Sequence, residues 1–140
     1  MFAINATEVR NEWSTVVDSV IREKPKFIKR TRDYMLLSDL KIIENMLEAY
    51  TFTAEEFVED DGSVTLSLNE IDLVENGKNK KEALFKMAKG ILEYSEDYYK
   101  EFSYWAVGDR RAHIPYVFKT LIINELEKIG GLITCRPGKI

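Results

Sequence analysis

A chain of 140 residues, 45% apolar and 31% charged, with three prolines and seven glycines, has room for one ordinary domain or two very small ones and is too apolar to stay disordered. One cysteine excludes an intramolecular disulfide framework, and one histidine with one cysteine cannot close a zinc site. The net charge of −4 is unevenly spread: residues 1–32 carry seven Lys/Arg against four Asp/Glu, whereas residues 51–75 carry eight acids and no base. An acidic chain argues against nucleic-acid binding as a whole, yet its first segment remains a candidate basic module. No run approaches the roughly 18 apolar residues of a membrane span. The N-terminus also lacks the cationic start and apolar run of a secretory signal, so the expectation is a cytoplasmic protein with no membrane partner.

In chain order, Phe2-Ala3-Ile4 predicts a short strand, and Asn5 or Thr7 a helix N-cap with Glu8 in the first turn. Val9, Trp13, Val16, Val17, Val20 and Ile21 then recur at helical spacing. A break near 11–14 splits this stretch into two short helices, with Ser14 a possible second cap, and Pro25 ends the run. Phe27-Ile28 and Met35-Leu36-Leu37 predict a hairpin around Thr31–Tyr34. Ser38 or Asp39 opens a helix whose face is Leu40, Ile43, Met46, Leu47 and Tyr50. Two alternating stretches, residues 50–53 and 63–68, predict strands joined by the Asp60-Asp61-Gly62 turn. Asn76-Gly77 punctuates the chain as a turn. A long helix is expected from about Lys80 to Phe102, with Ala83, Leu84, Met87, Ala88, Ile91, Leu92 and Tyr98 on its apolar side. Another is expected from about Asp109 to Ile129, presenting Ile114, Val117, Phe118, Leu121, Ile122 and Leu126 and stopped by Gly130-Gly131. Leu132-Ile133-Thr134 reads as a final strand before a polar tail.

The order of these elements carries a resemblance. Ile4-Asn5, Val9-Arg10, Pro25, Phe27-Ile28-Lys29-Arg30, Leu36-Leu37-Ser38 and Asp39-Leu40 together resemble the Phd/YefM-type antitoxin module over about residues 2–50. The resemblance implies a dimerising, DNA-binding bacterial repressor module, with Arg10 and Arg30 at the positions of DNA-contacting arginines. Asn5, Thr7, Lys29 and Arg32 complete the candidate DNA-binding set. The hairpin loop Thr31-Arg32-Asp33 departs from the family by lacking its usual glycine. Physical chemistry points the same way. A fifty-residue module buries little of its surface alone, and a dimer doubles the footprint on a palindrome. Lys24, Lys26, Lys29, Arg30 and Arg32 form a basic run suited to phosphates, although such residues also serve simply to protect a strand edge.

Residues 57–102 faintly resemble HicB-like antitoxin domains through Asn76-Gly77 and Glu82-Ala83-Leu84. That likeness implies a partial RNase H-like fold without catalysis. The fold class expected is therefore α+β, with a Phd/YefM-like module at 1–50 and a second small α+β domain at 51–140, made of a strand hairpin and two helices. Tyr94, Tyr98, Tyr99, Phe102, Tyr104 and Trp105 concentrate around the end of the long helix, among Glu93, Glu96, Asp97 and Glu101. Core packing is the plain reading of this cluster. Its functional reading makes Tyr98, Tyr99, Phe102 and Trp105 anchors for a toxin, since aromatic residues dominate interface hot spots and an acidic surround suits a small basic RNase-type toxin.

The function expected is that of a type II antitoxin that represses its own operon through operator DNA and neutralises a cognate toxin, working as a homodimer or higher oligomer. No cofactor, catalytic residue or metal site is expected. One alternative is a stand-alone regulator or assembly protein without a toxin. Another is a metal-dependent nuclease built on Glu59, Asp60, Asp61, Glu70, Asp72 and Glu75, acids that otherwise form a solvated surface. His113, after Arg110-Arg111, reads as a polar packing residue, because no nucleophile is placed beside it.

Overall fold

A computed structural model describes residues 2–138; the end of the polar tail, residues 139–140, lies outside the described residues. The chain forms two compact units, Met1–Met46 and Leu47–Ile140.

In the first unit, strand β1 (Ala3–Asn5) leads into helices α1 (Ala6–Asn11) and α2 (Trp13–Arg22), and strands β2 (Lys26–Arg30) and β3 (Asp33–Leu37) follow. The sheet order is β1-β2-β3, with β1 parallel to β2 and the β2–β3 hairpin antiparallel. Asn5 caps α1, its side-chain oxygen accepting the Thr7 N–H at 3.1 Å. The expected break between the helices falls at Glu12, but Ser14 is no cap: α2 already begins at Trp13. Val9, Val16 and Val20 from the helices meet Ile28 from β2 in a small core, with Ile4, Ala6 and Leu37 packed around it. Strand alternation explains why only Ile28 of β2 is buried, since its neighbours Phe27 and Lys29 point to the opposite face.

Helix α3 (Leu40–Met46) begins where the Asp39 carboxylate accepts the Lys41 N–H at 2.9 Å. It is shorter than expected and none of its residues is buried. Tyr50, expected on its face, belongs to the second unit, where its ring meets Tyr116 edge-on at 5.3 Å.

The second unit carries strands β4 (Phe52–Val58), β5 (Val64–Leu68) and β6 (Val74–Gly77), then helices α4 (Lys80–Lys100) and α5 (Phe102–Trp105). A 3₁₀ segment (Gly108–His113), helices α6 (Ile114–Ile123) and α7 (Leu126–Gly131) and strand β7 (Ile133–Pro137) complete it. The sheet order is β6-β5-β4-β7; β4–β5 and β5–β6 are antiparallel and β7 returns parallel to β4. Asn79 caps α4 by accepting the Glu82 N–H at 2.9 Å. The helix then buries Ala83, Met87, Ala88, Ile91, Ser95 and Tyr98 at three- and four-residue spacing. Ala83, Met87, Ala88 and Ile91 pack with Phe52, Ala54, Leu66, Leu68 and Ile71 from the sheet side and with Ile129 of α7.

Three sequence expectations change here. β6 is a strand where only an Asn76-Gly77 turn was read, because a four-residue edge strand is too short to show alternation. The expected Asp109–Ile129 helix is three pieces, broken where Asn124 adopts φ 49° and closes α6 in the left-handed conformation. Gly130 and Gly131 lie within α7 rather than stopping a helix before them.

Candidate DNA and partner-binding sites

On the first unit, α1 carries Thr7 and Arg10 on neighbouring turns, β1 ends at Asn5, and β2 ends at Arg30. Register explains their meeting, since parallel pairing sets Asn5 beside Lys29, one residue before Arg30. Asn5, Ala6, Thr7, Arg10, Arg30, Thr31 and Met35 line an open hollow of about 660 Å³. Four of the six candidate DNA residues thus share one concavity. Lys29 and Arg32 are not among its lining: the Lys29 ammonium sits 5.6 Å from the Tyr34 ring centroid, and Arg32 is in the hairpin turn.

Neither Arg10 nor Arg30 forms an ion pair among the described residues. Among the described residues, the side-chain hydrogen bonds of this unit are those of Asn5, Ser19, Ser38 and Asp39, and neither guanidinium takes part in them. A planar fork with free donors suits phosphate oxygens or a guanine edge. Thr31 and Met35 are members that sequence reading missed. The signal for Thr31 was the absent glycine, since Thr31 itself takes the positive φ, 54°, of the turn.

Two of the acids at 59–75, Asp61 and Glu70, are engaged locally. Asp61 accepts from the Ser63 hydroxyl at 2.6 Å, which together with the Ser63 N–H holds its carboxyl below the ordinary range. Both Glu70 oxygens are engaged by Thr53, at 2.8 Å from the backbone N–H and 2.6 Å from the hydroxyl. No group of three or more potential ligands is assembled among the described residues.

The aromatic concentration divides into a core and a rim. Tyr98 is 0% exposed and donates its hydroxyl to the Arg110 carbonyl at 2.6 Å, so it packs the interior and offers nothing to a partner. Tyr94 packs between Tyr98, Trp105 and His113, and its hydroxyl shares a 2.6 Å hydrogen bond with His113 Nδ1. Burial pushes the imidazole below its ordinary value of 6.5 against the opposing pull of Asp72, and its ring contact and hydrogen bond with Tyr94 are those of a packing residue. The Arg110 guanidinium lies 4.7 Å from the Trp105 ring and 5.1 Å from the Tyr104 ring and donates to the Tyr104 carbonyl, pinning the turn after α5.

The rim is what solvent sees. Tyr99 is 59% exposed, Tyr104 63% and Phe102 39%, with Phe118 backing Tyr99 and Phe102 at 6.0 Å. Trp105 is half-buried. Glu93, Glu96, Asp97, Glu101 and Asp109 are exposed on the same segments and form no ion pair among the described residues.

Comparison with known proteins gives this arrangement its context. Residues 1–135 match a Phd-like family described as the antitoxin of toxin–antitoxin, RelE/RelB systems. The chain belongs to this antitoxin family. It also resembles a crystal structure from Syntrophomonas wolfei subsp. wolfei, named as the antitoxin part of a proposed toxin/antitoxin system. The TM-score is 0.92 at 34% identity, covering 98% of this chain and 99% of that one. No curated protein matches the chain.

The antitoxin match runs through both units, so the second half is part of the family's own architecture and not an addition to a shorter module. The family is regulatory and non-enzymatic, which sets aside the nuclease alternative for the acids of 59–75. Among the described residues, no helix of the antitoxin is long and apolar enough to cross a membrane.

Proposed function

We propose that this antitoxin acts in the bacterial cytoplasm as a homodimer whose first unit represses its own operon and whose second unit neutralises a small basic RNase-type toxin. The observation that carries the DNA half is the shared hollow of Asn5, Thr7, Arg10 and Arg30, with neither guanidinium in an ion pair among the described residues. Lys29 and Arg32 flank it as phosphate contacts. Dimerisation is supported by the first unit's shortage of core. Four buried apolar side chains hold it together, while Trp13, Phe27, Leu36, Leu40 and Met46 stay exposed. A unit this small gains much by covering such side chains with a second copy.

The toxin half is supported by the exposed Tyr99, Phe102 and Tyr104 amid unpaired carboxylates, with Trp105 behind them. Tyrosine and tryptophan anchors inside an acidic field suit a cationic partner. Two measurements test the two halves. Binding to the gene's own upstream DNA across salt should weaken steeply, and the Arg10→Ala/Arg30→Ala variant should lose about 0.9 of log–log slope per arginine per protomer; unchanged affinity in that variant removes the site. Co-purification with the product of the adjacent gene should fail in Tyr99→Ala/Tyr104→Ala. Capture at the unsubstituted level removes the toxin face.

A further inference from the structure

The hairpin tip of the first unit holds a side chain where backbone geometry resists it. Arg30 pairs with Asp33, leaving Thr31 and Arg32 as the turn. Thr31 takes φ 54°, a left-handed conformation that glycine adopts freely and asparagine cheaply, and that a β-branched residue rarely enters. Its side chain is exposed and lines the hollow with Arg10 and Arg30. The Thr31 hydroxyl has no place in the unit's side-chain hydrogen bonds, which are those of Asn5, Ser19, Ser38 and Asp39 among the described residues. Turn formation alone would be served better by glycine. A strained residue beside two unspent guanidiniums instead points to work done by its own side chain.

We propose that Thr31 is a further DNA-contact residue whose hydroxyl donates to a backbone phosphate oxygen held by Arg10 and Arg30. The proposal rests on the operator-binding reading above and adds to it a neutral donor in the same hollow as two cations. A phosphate presents several acceptor oxygens, and hydroxyl donors are ordinary contacts to them. Because threonine carries no charge, its contact displaces no counterion and acts on affinity without acting on salt dependence.

The experiment uses the full chain, a duplex of the gene's own upstream region and three variants. Thr31→Gly relieves the strained φ, so thermal stability should rise while affinity falls about tenfold or more, the factor for one hydrogen bond to a charged acceptor, with the salt slope unchanged. Thr31→Ser keeps the hydroxyl and should bind within about twofold of the unsubstituted chain. Thr31→Val keeps the shape and loses the donor, and should bind as weakly as Thr31→Gly. Unchanged affinity in Thr31→Gly and Thr31→Val overturns the Thr31 contact and leaves the operator reading standing. Thr31→Ser binding as weakly as Thr31→Val also overturns it. If the unsubstituted chain shows no salt-dependent binding to the duplex, both readings fall together.

Discussion

Tyr98 and Tyr99 are adjacent on α4, and the structure assigns them opposite tasks. Tyr98 is wholly enclosed, its ring 5.8 Å from Tyr94, 5.9 Å from Phe102 and 6.5 Å from Trp105, its hydroxyl on the Arg110 carbonyl. Truncation to alanine removes a large buried ring, and such losses cost about 3–5 kcal/mol. At about 4–8 °C per kcal/mol for a unit of this size, the melting temperature of the second unit should fall by on the order of 12–40 °C. Tyr98→Phe removes only the hydroxyl and strands one carbonyl, a loss of about 1–1.5 kcal/mol. Tyr99→Ala removes an exposed ring resting on Phe118 and should cost no more than about 1 kcal/mol. Urea unfolding followed by circular dichroism gives the ordering, and capture of the adjacent gene product gives the binding. The reasoning is refuted if Tyr98→Ala keeps its stability but loses the partner, for then Tyr98 is a contact after all.

Three further outcomes follow from particular residues. A Cβ on Gly77 would run into the Ala83 backbone at the start of α4. Gly77→Ala should therefore destabilise the second unit by about 1–3 kcal/mol in thermal melts, and a neutral substitution would show that β6 and α4 are not held so close. Leu36→Glu, on an exposed position of β3, should shift the proposed dimer to monomer in light scattering; a persistent dimer would place the interface elsewhere. Burial depresses the His113 imidazole, so the unfolded chain takes up the proton first as pH falls through 6.5. Stability attributable to this group is present above that value and is lost as pH falls toward the lower folded value. Between about pH 7.5 and 5.5 the urea midpoint should drop further in the unsubstituted chain than in His113→Asn, and equal drops would refute the linkage.

Much of the fold was legible because its signals are local. The caps were narrowed to Asn5 or Thr7 and to Ser38 or Asp39, and Asn5 and Asp39 fill them; Pro25 marked the end of α2, and Gly62, at φ 86°, the turn after β4. The stripe of Ala83, Met87, Ala88 and Ile91 named the buried face of α4. What stayed hidden depends on tertiary context. The helix pattern ran on from Leu121 and Ile122 to Leu126 and gave no warning that Asn124 turns left-handed. β6 holds its place by pairing with β5 and by packing of Gly77 on α4, neither of which leaves a periodicity in four residues.

The sites divide along the same line. Arg10 and Arg30 lie far apart in sequence, and only the parallel pairing of β1 with β2 brings α1 to the strand end where Arg30 emerges. The resemblance supplied the two arginines, but the hollow also takes in Thr31, whose significance is invisible until its φ is known. The aromatic cluster shows the complementary failure. Composition marks a concentration of rings, yet whether a ring is core or anchor turns on helical phase near a helix end, where one residue of rotation is about 100°. Tyr98 falls in phase with Ile91 and Ser95 and goes inside; Tyr99, one step on, goes out. The proposed partner face therefore rests on Tyr99, Phe102 and Tyr104, while Trp105 holds the Arg110 guanidinium that fixes the turn after α5. An Arg110→Ala variant that stays folded should thus lose partner binding by disordering that turn, although Arg110 is not itself the contact.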